Sequence, residues 1–123
     1  MQTILIIEDE ELMLEIYKDT LEREGYSVFL AINGATSLEY LGSTRPDLVI
    51  LDIKLPDISG LLLLDKIKQQ HPDVPVIMCT AYDTFKDDHD AISSKIADYI
   101  VKPVVLGDLK ERVRRILGAA NGT

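Results

Sequence analysis

Residues 47–60 read DLVILDIKLPDISG, and this stretch carries the pattern from which the fold is predicted. Its apolar run, residues 48–51, is short and continuous, which is typical of a strand buried on both faces of a parallel sheet. Asp52 follows the run directly, and Gly60 begins a helix-length stretch over residues 60–70. The stretch therefore predicts a strand, a loop and a helix, with a carboxylate where the strand ends.

The same alternation extends along the whole chain. The other short apolar runs are residues 4–7, 28–30, 74–79 and 99–101. The helix-length stretches are residues 11–24, 35–41, 60–70, 84–95 and 105–117. Gly25 and Gly42 are expected to end the first two helices. Strands that alternate with helices predict an α/β fold of the (βα)₅ type, with a parallel sheet and helices on both faces.

The composition limits the classes of protein to which the chain can belong. A length of 123 residues suits one domain. The net charge of −8 argues against a nucleic-acid-binding surface, which needs a basic patch. The single cysteine, Cys79, cannot form an intrachain disulfide, which fits a reducing cytoplasmic compartment. We expect no membrane span, because no apolar run is long enough, and no signal peptide.

Polar side chains follow four of the predicted strands. Glu8 and Asp9 follow the first run, Asp52 the third, Thr80 the fourth and Lys102 the fifth. In an open α/β sheet the carboxyl ends of the strands surround the crevice in which ligands bind. We therefore expect three carboxylates, a hydroxyl and an ammonium group to converge there.

Carboxylates at such a position repel one another. Two like charges about 4 Å apart cost roughly 4 kcal/mol at an effective dielectric constant of about 20. Lys102 supplies one positive charge, and a hard divalent cation such as Mg²⁺ would supply two more. Each acid also has an ordinary interpretation, since acids after strands often cap a helix or start a turn. Their joint placement at the strand ends of one sheet carries the prediction.

The sequence around these residues resembles the receiver domain of two-component response regulators over residues 3–117. The segments that carry the resemblance are the pair Glu8-Asp9 after residues 4–7, the stretch 47–60, residues 75–81 and residues 98–103. The resemblance implies a single doubly wound, five-stranded parallel sheet with the flavodoxin-like strand order 2-1-3-4-5. Residues 118–123 are expected to form a flexible C-terminal tail.

The resemblance also implies a phosphoacceptor with a bound metal ion. Asp52 would take the phosphoryl group. Asp9 and Asp52 would bind Mg²⁺, for which Mn²⁺ could substitute. Glu8 would contact the ion through water, and the backbone carbonyl of Lys54 would complete the protein ligands. The chain would therefore be a signalling phosphoacceptor with self-catalysed phosphotransfer and autodephosphorylation, and not an enzyme acting on a separate substrate.

Further residue roles and one backbone feature follow from the same resemblance. Thr80 and Lys102 would contact the phosphoryl oxygens. Thr80 and Tyr99 would be the switch residues that respond to phosphorylation. The peptide bond between Lys102 and Pro103 would be cis.

The resemblance further implies partners. A sensor histidine kinase or a phosphotransfer protein would donate the phosphoryl group, and a downstream effector or a fused output domain would receive the signal. The chain would be a monomer or a weak homodimer through the face formed by residues 84–95, 99–101 and 105–117. We expect no direct binding to nucleic acid or membrane, and a cytoplasmic location.

The residues also bear on three other functions. An aspartyl-phosphate phosphohydrolase needs a second acid two residues after the nucleophile, where this chain has Lys54. A flavin-binding electron carrier needs hydroxyl and glycine donors after the first strand, where residues 8–11 are all acidic. The third, a receiver-like module that binds partners without phosphorylation, stays open at this stage.

Overall fold

A computed structural model describes residues 1–80 and 95–118 of the chain. Its elements are β1 (Thr3–Ile7), α1 (Glu11–Glu22), β2 (Ser27–Ala31), α2 (Gly34–Ser43), β3 (Leu48–Asp52), α3 (Gly60–Gln70), β4 (Val76–Thr80), β5 (Asp98–Val101) and α4 (Leu106–Leu117). The helix predicted at 84–95 and residues 119–123 of the predicted tail lie outside this description. Among the described helices, none has the length and apolar character needed to cross a membrane.

The five strands form one parallel sheet in the order β2-β1-β3-β4-β5. The predicted α/β class and the strand order 2-1-3-4-5 are therefore confirmed. β3 lies at the centre, between β1 and β4, and all five residues of β3 are buried. A central parallel strand is covered on both faces, which is why its sequence is continuously apolar.

Two separate hydrophobic clusters fill the space between the sheet and its helices. Alternate residues of β1 pack into one cluster and then the other, because successive side chains of a strand point to opposite faces. Leu5 packs with Leu41 of α2 and Leu63 of α3, whereas Ile6 packs with Tyr17 of α1 and Val113 of α4. Helices thus cover both faces of the sheet, as the alternating pattern predicts.

The predicted boundaries of α1 and α2 differ from the observed ones. α1 ends at Glu22, and Gly25 takes a left-handed φ of 95° in the turn that follows. Gly42 does not end α2, which continues to Ser43 and is capped by Thr44 N–H donating to the Tyr40 carbonyl at 2.9 Å. A glycine costs a helix only about 1 kcal/mol, and burial of the neighbouring Leu41 offsets this cost.

β4 begins two residues later than the apolar run predicts. Val74 and Pro75 precede the strand, which starts at Val76. Pro75 has no N–H to donate, but its carbonyl accepts from the Val49 N–H at 3.0 Å and so leads the chain into the sheet.

Candidate functional site

Three acids meet at the carboxyl edge of the central strands. Asp52 is the last residue of β3, and Glu8 and Asp9 directly follow β1. Ile7 pairs with Leu51 in the sheet, so the next residue of each strand lies at the same edge. One carboxylate oxygen from each acid lies within 4.8 Å of the others. We call Glu8, Asp9 and Asp52 the acidic cluster. All three are among the residues that the sequence predicts to converge.

Lys102 joins two members of the acidic cluster. Its Nζ lies 3.1 Å from Glu8 Oε1 and 3.2 Å from Asp52 Oδ2. The backbone N–H of Lys102 donates to the Thr80 carbonyl at 2.7 Å, which fixes the start of the side chain just beyond β5. The Lys102–Pro103 peptide bond is cis. Lys102 therefore reaches the acidic cluster from the far side of β4.

The acids differ in exposure, and burial changes their electrostatics. Glu8 is 2% exposed and Asp52 is 5% exposed, whereas Asp9 is exposed to solvent. Burial raises the pKa of Glu8 to about 7, and a hydrogen bond with Asp52 and the negative charge of Asp52 act in the same direction. Burial lowers the pKa of Lys102, but the charges of Asp52 and Glu8 outweigh burial and raise it overall. The acidic cluster thus holds more negative charge than one lysine compensates.

This donor set fits a hard divalent cation. The acidic cluster offers only carboxylate oxygens, which are the ligands that Mg²⁺ and Ca²⁺ prefer. The excess negative charge of the acidic cluster favours the approach of a cation. Lys54, the predicted carbonyl ligand, lies beside the acidic cluster, because its backbone N–H donates to Asp52 Oδ1 at 3.2 Å.

Thr80 lies on β4, which is next to β3 in the sheet, and Tyr99 lies on β5, which is next to β4. Thr80 ends β4, is 2% exposed and pairs with Val101. Tyr99 lies within β5, pairs with Met78 and is 37% exposed. Thr80 therefore shares the carboxyl edge with the acidic cluster, whereas Tyr99 is set back from it by two positions along the strand register.

A cavity of about 430 Å³ lies beside β5 and the start of α4. Its lining includes Tyr99, Val101, Pro103 and Val105. Arg112 closes one side, since its Nη1 donates to Asp98 Oδ1 at 2.7 Å and to the Tyr99 carbonyl at 3.0 Å. The surface predicted to respond to phosphorylation thus combines exposed apolar side chains with a fixed ion pair.

Two residues near the site were not predicted from the sequence. Tyr17 of α1 is 2% exposed, and burial, the neighbouring Cys79 and the charges of Glu8 and Asp52 raise the pKa of its hydroxyl. Asp57, in the loop after β3, binds the first backbone N–H groups of α2. The helical spacing of Tyr17 indicates only a core position, and Asp57 in its sequence context indicates only a turn.

Comparison with known proteins identifies a family. The model of the response regulator receiver domain matches residues 4–114. Probable transcriptional regulatory protein TcrX from Mycobacterium tuberculosis is 33% identical over 115 residues, which cover 94% of this chain and 49% of TcrX. The chain spans about half the length of the curated relatives it matches.

Solved structures give the same result. The response regulator TrrA from Thermotoga maritima, determined in complex with Mg²⁺-BeF, is 38% identical with a TM-score of 0.85, covering 95% of this chain and 100% of TrrA. A CheY-like receiver domain protein from Methanospirillum hungatei is 32% identical with a TM-score of 0.90, covering 99% of this chain and 98% of that protein. The chain is thus similar to both of these proteins in amino-acid sequence and in fold.

Proposed function

The chain belongs to the response regulator receiver family, and on that premise we propose that Asp52 accepts a phosphoryl group from a histidine kinase or a phosphotransfer protein. The observation that carries the proposal is the surroundings of Asp52. Its carboxylate ends a central strand, lies 3.2 Å from Lys102 Nζ and shares the edge of the sheet with two other acids. A nucleophile beside a cation and a metal-binding donor set is what phosphoryl transfer requires.

Asp52 acts as the nucleophile in this proposal. A carboxylate is already anionic and needs no general base to attack phosphorus. An oxygen of Asp52 forms a bond to phosphorus while the phosphorus–nitrogen bond of the donor's phosphohistidine breaks. The product is an acyl phosphate, which is a reactive mixed anhydride and therefore suits a transient signal.

Lys102 and Thr80 hold the transferred group. Lys102 Nζ lies next to both Asp52 and Glu8, so it is already in position to offset negative charge on the phosphoryl oxygens. The hydroxyl of Thr80 donates a hydrogen bond to one of those oxygens. Because phosphoryl transfer depends mainly on positioning and charge stabilisation, these two contacts supply most of what the side chains must do.

The residues that would hold Mg²⁺ are Asp9 and Asp52 directly, Glu8 through water, and Lys54 through its backbone carbonyl. When bound, the ion would neutralise charge on the transferring group and orient it for in-line attack. The excess negative charge of the acidic cluster supports this assignment. The complex of the similar protein TrrA with Mg²⁺-BeF supports it as well.

The signal would leave the site as a change in shape. A phosphoryl group adds roughly −1.5 to −2 charge at neutral pH, which favours inward movement of Thr80 and Tyr99. The surface beside β5 and α4 would then bind an effector, a fused output domain or a second copy of the chain. We expect this exchange to take place in the cytoplasm, with no turnover of a separate substrate.

Intact mass spectrometry after incubation with acetyl phosphate and Mg²⁺ tests the proposal. We expect one added phosphoryl group on the wild type, none on Asp52→Ala, and none when a chelator removes the metal. Asp73→Asn is the matched control, because Asp73 is an exposed acid that precedes β4, at the opposite end of that strand from Thr80. Equal phosphate uptake by Asp52→Ala and wild type would contradict the assignment of Asp52 as the acceptor. No uptake by the wild type would contradict the proposal and favour a receiver-like module that works without phosphorylation.

A further inference from the structure

The loop between β3 and α3 is fixed at both of its ends. This β3–α3 loop comprises residues 53–59, and Lys54 and Ser59 form an antiparallel bridge across it. The Gly60 N–H donates to the Ile53 carbonyl at 2.9 Å. The side chain of Ser59 accepts from Leu61 N–H and Leu62 N–H, so it caps α3. The position of Lys54 therefore depends on how this loop is held.

The tip of the β3–α3 loop is attached to α2. Asp57 accepts from the Gly34 N–H at 2.9 Å through Oδ1 and from the Ala35 N–H at 2.9 Å through Oδ2. Ile58 packs directly on Gly34, where an added Cβ would lie 2.2 Å from Ile58 Cγ2. The backbone hydrogen bonds lower the pKa of Asp57, as expected for a carboxylate that accepts two N–H groups.

α2 has its own N-cap besides Asp57. Asn33 Oδ1 accepts from the Thr36 N–H at 2.8 Å. Asp57 thus binds the first two N–H groups of the helix and Asn33 binds the third, although the two side chains come from different segments. Both contacts stabilise α2, but only the contact of Asp57 joins α2 to the β3–α3 loop.

We propose that Asp57 is a positioning residue for the metal site, holding the β3–α3 loop against α2 so that the Lys54 carbonyl is set beside Asp52 before a cation binds. The inference rests on the proposed function, which assigns that carbonyl to Mg²⁺. Lys54 lies only a few residues before Asp57 in this loop, and its backbone N–H already donates to Asp52 Oδ1 at 3.2 Å. Without the contacts of Asp57, a cation that binds must also order the loop. The entropic cost of ordering the loop then weakens cation binding.

Calorimetric titration of the whole chain with Mg²⁺ tests this role. The variants are Asp57→Ala and, as the matched control, Asn33→Ala, which removes the other cap of the same helix. We expect Asp57→Ala to raise the Mg²⁺ dissociation constant by roughly 10-fold, the scale found for groups that orient metal ligands. Asn33→Ala should destabilise the protein yet change the dissociation constant by less than about twofold, within the usual scatter of such effects.

Each other outcome overturns the inference in a recognisable way. If Asp57→Ala binds Mg²⁺ as tightly as the wild type, Asp57 only stabilises α2. If both variants lose affinity equally, the stability of α2 and not the attachment of the loop governs binding. A wild type that binds no Mg²⁺ overturns the metal assignment of the proposed function together with this inference. Circular dichroism of each variant establishes that it is folded.

Discussion

At the scale of single residues, Lys102 determines how two carboxylates share the carboxyl edge of the sheet. Glu8 and Asp52 are almost fully buried, and each has an oxygen within about 3 Å of Lys102 Nζ. Buried charges are tolerated only when they are paired. Asp9 adds a further negative charge, and among the described residues it forms no ion pair with a lysine. This excess of negative charge supports the proposed cation site.

Asp9→Asn is predicted to increase stability while removing metal binding. The substitution deletes one of three repelling charges but keeps the size of the side chain. In the presence of a chelator we expect the free energy of unfolding to rise by about 0.5–2 kcal/mol, the usual size of a stabilising substitution. Urea unfolding measures this change.

Glu15→Gln provides the control for the loss of one charge. Glu15 is exposed on α1, so its substitution changes the net charge by the same amount outside the acidic cluster. We expect little change in its unfolding free energy. If Asp9→Asn proves less stable than the wild type without metal, repulsion within the acidic cluster is not the dominant effect.

At the scale of elements, the start of α3 is packed against the end of β3. A Cβ added at Gly60 would lie 2.5 Å from Ile53 Cα and 2.7 Å from the Ile53 carbonyl oxygen. Backbone atoms cannot move aside as the end of a flexible side chain can. Gly60 therefore allows the helix to begin close to the strand, which in turn sets the path of the β3–α3 loop past Asp52.

Gly60→Ala is predicted to destabilise the fold, and Gly42→Ala to stabilise it. Overpacking at Gly60 should cost about 1–3 kcal/mol, because the strand or the helix must shift. An added Cβ at Gly42 meets nothing within 4 Å, so alanine should gain up to about 1 kcal/mol from its higher helix propensity. Thermal or urea unfolding compares the two; equal effects would contradict the close packing at Gly60.

The attachment of Asp57 to α2 predicts a dependence of stability on pH. Its pKa is lowered in the folded protein by the N–H groups of Gly34 and Ala35, so its ionised form is favoured by folding. The stabilisation is present above the ordinary pKa of aspartate and is lost as the pH falls through the lowered value.

Urea unfolding of wild type and Asp57→Asn tests this dependence, since the difference between them isolates one carboxylate. We expect the wild type to be the more stable at about pH 6, with the difference shrinking towards about pH 3. A difference that grows as the pH falls would show that the charged form of Asp57 does not stabilise the fold.

At the scale of the whole molecule, the sequence predicts the strands and the polar edge well because parallel strands are buried on both faces. The continuous apolar runs around Ile50 and Ile6 predict β3 and β1, and the acids that follow converge because parallel strands end at one edge. The strand order depends on the resemblance, since spacing alone does not determine which strands are neighbours.

Contacts between distant segments are what the sequence leaves open. Lys102 and Glu8 are 94 positions apart, and Asp57 and Gly34 are 23 apart. The strand-end positions of Lys102 and Glu8 predict only that both lie at one edge of the sheet, and no pattern indicates that Asp57 meets Gly34. The predicted end of α2 at Gly42 is wrong because tertiary packing around Leu41 outweighs the weak helix propensity of Gly42. Local rules therefore predict the elements, whereas the folded chain determines the pairs that form the site.

Borohydride reduction followed by peptide mass spectrometry tests most directly whether Asp52 carries the phosphoryl group. An acyl phosphate is reduced to an alcohol by this reagent, whereas an unmodified carboxylate is not. After incubation with acetyl phosphate and Mg²⁺, we predict reduction at position 52 and at no other acid, and none in the presence of a chelator. Reduction at a different acid, or a phosphoryl group on a serine, threonine or lysine, would contradict the assignment of Asp52 as the acceptor.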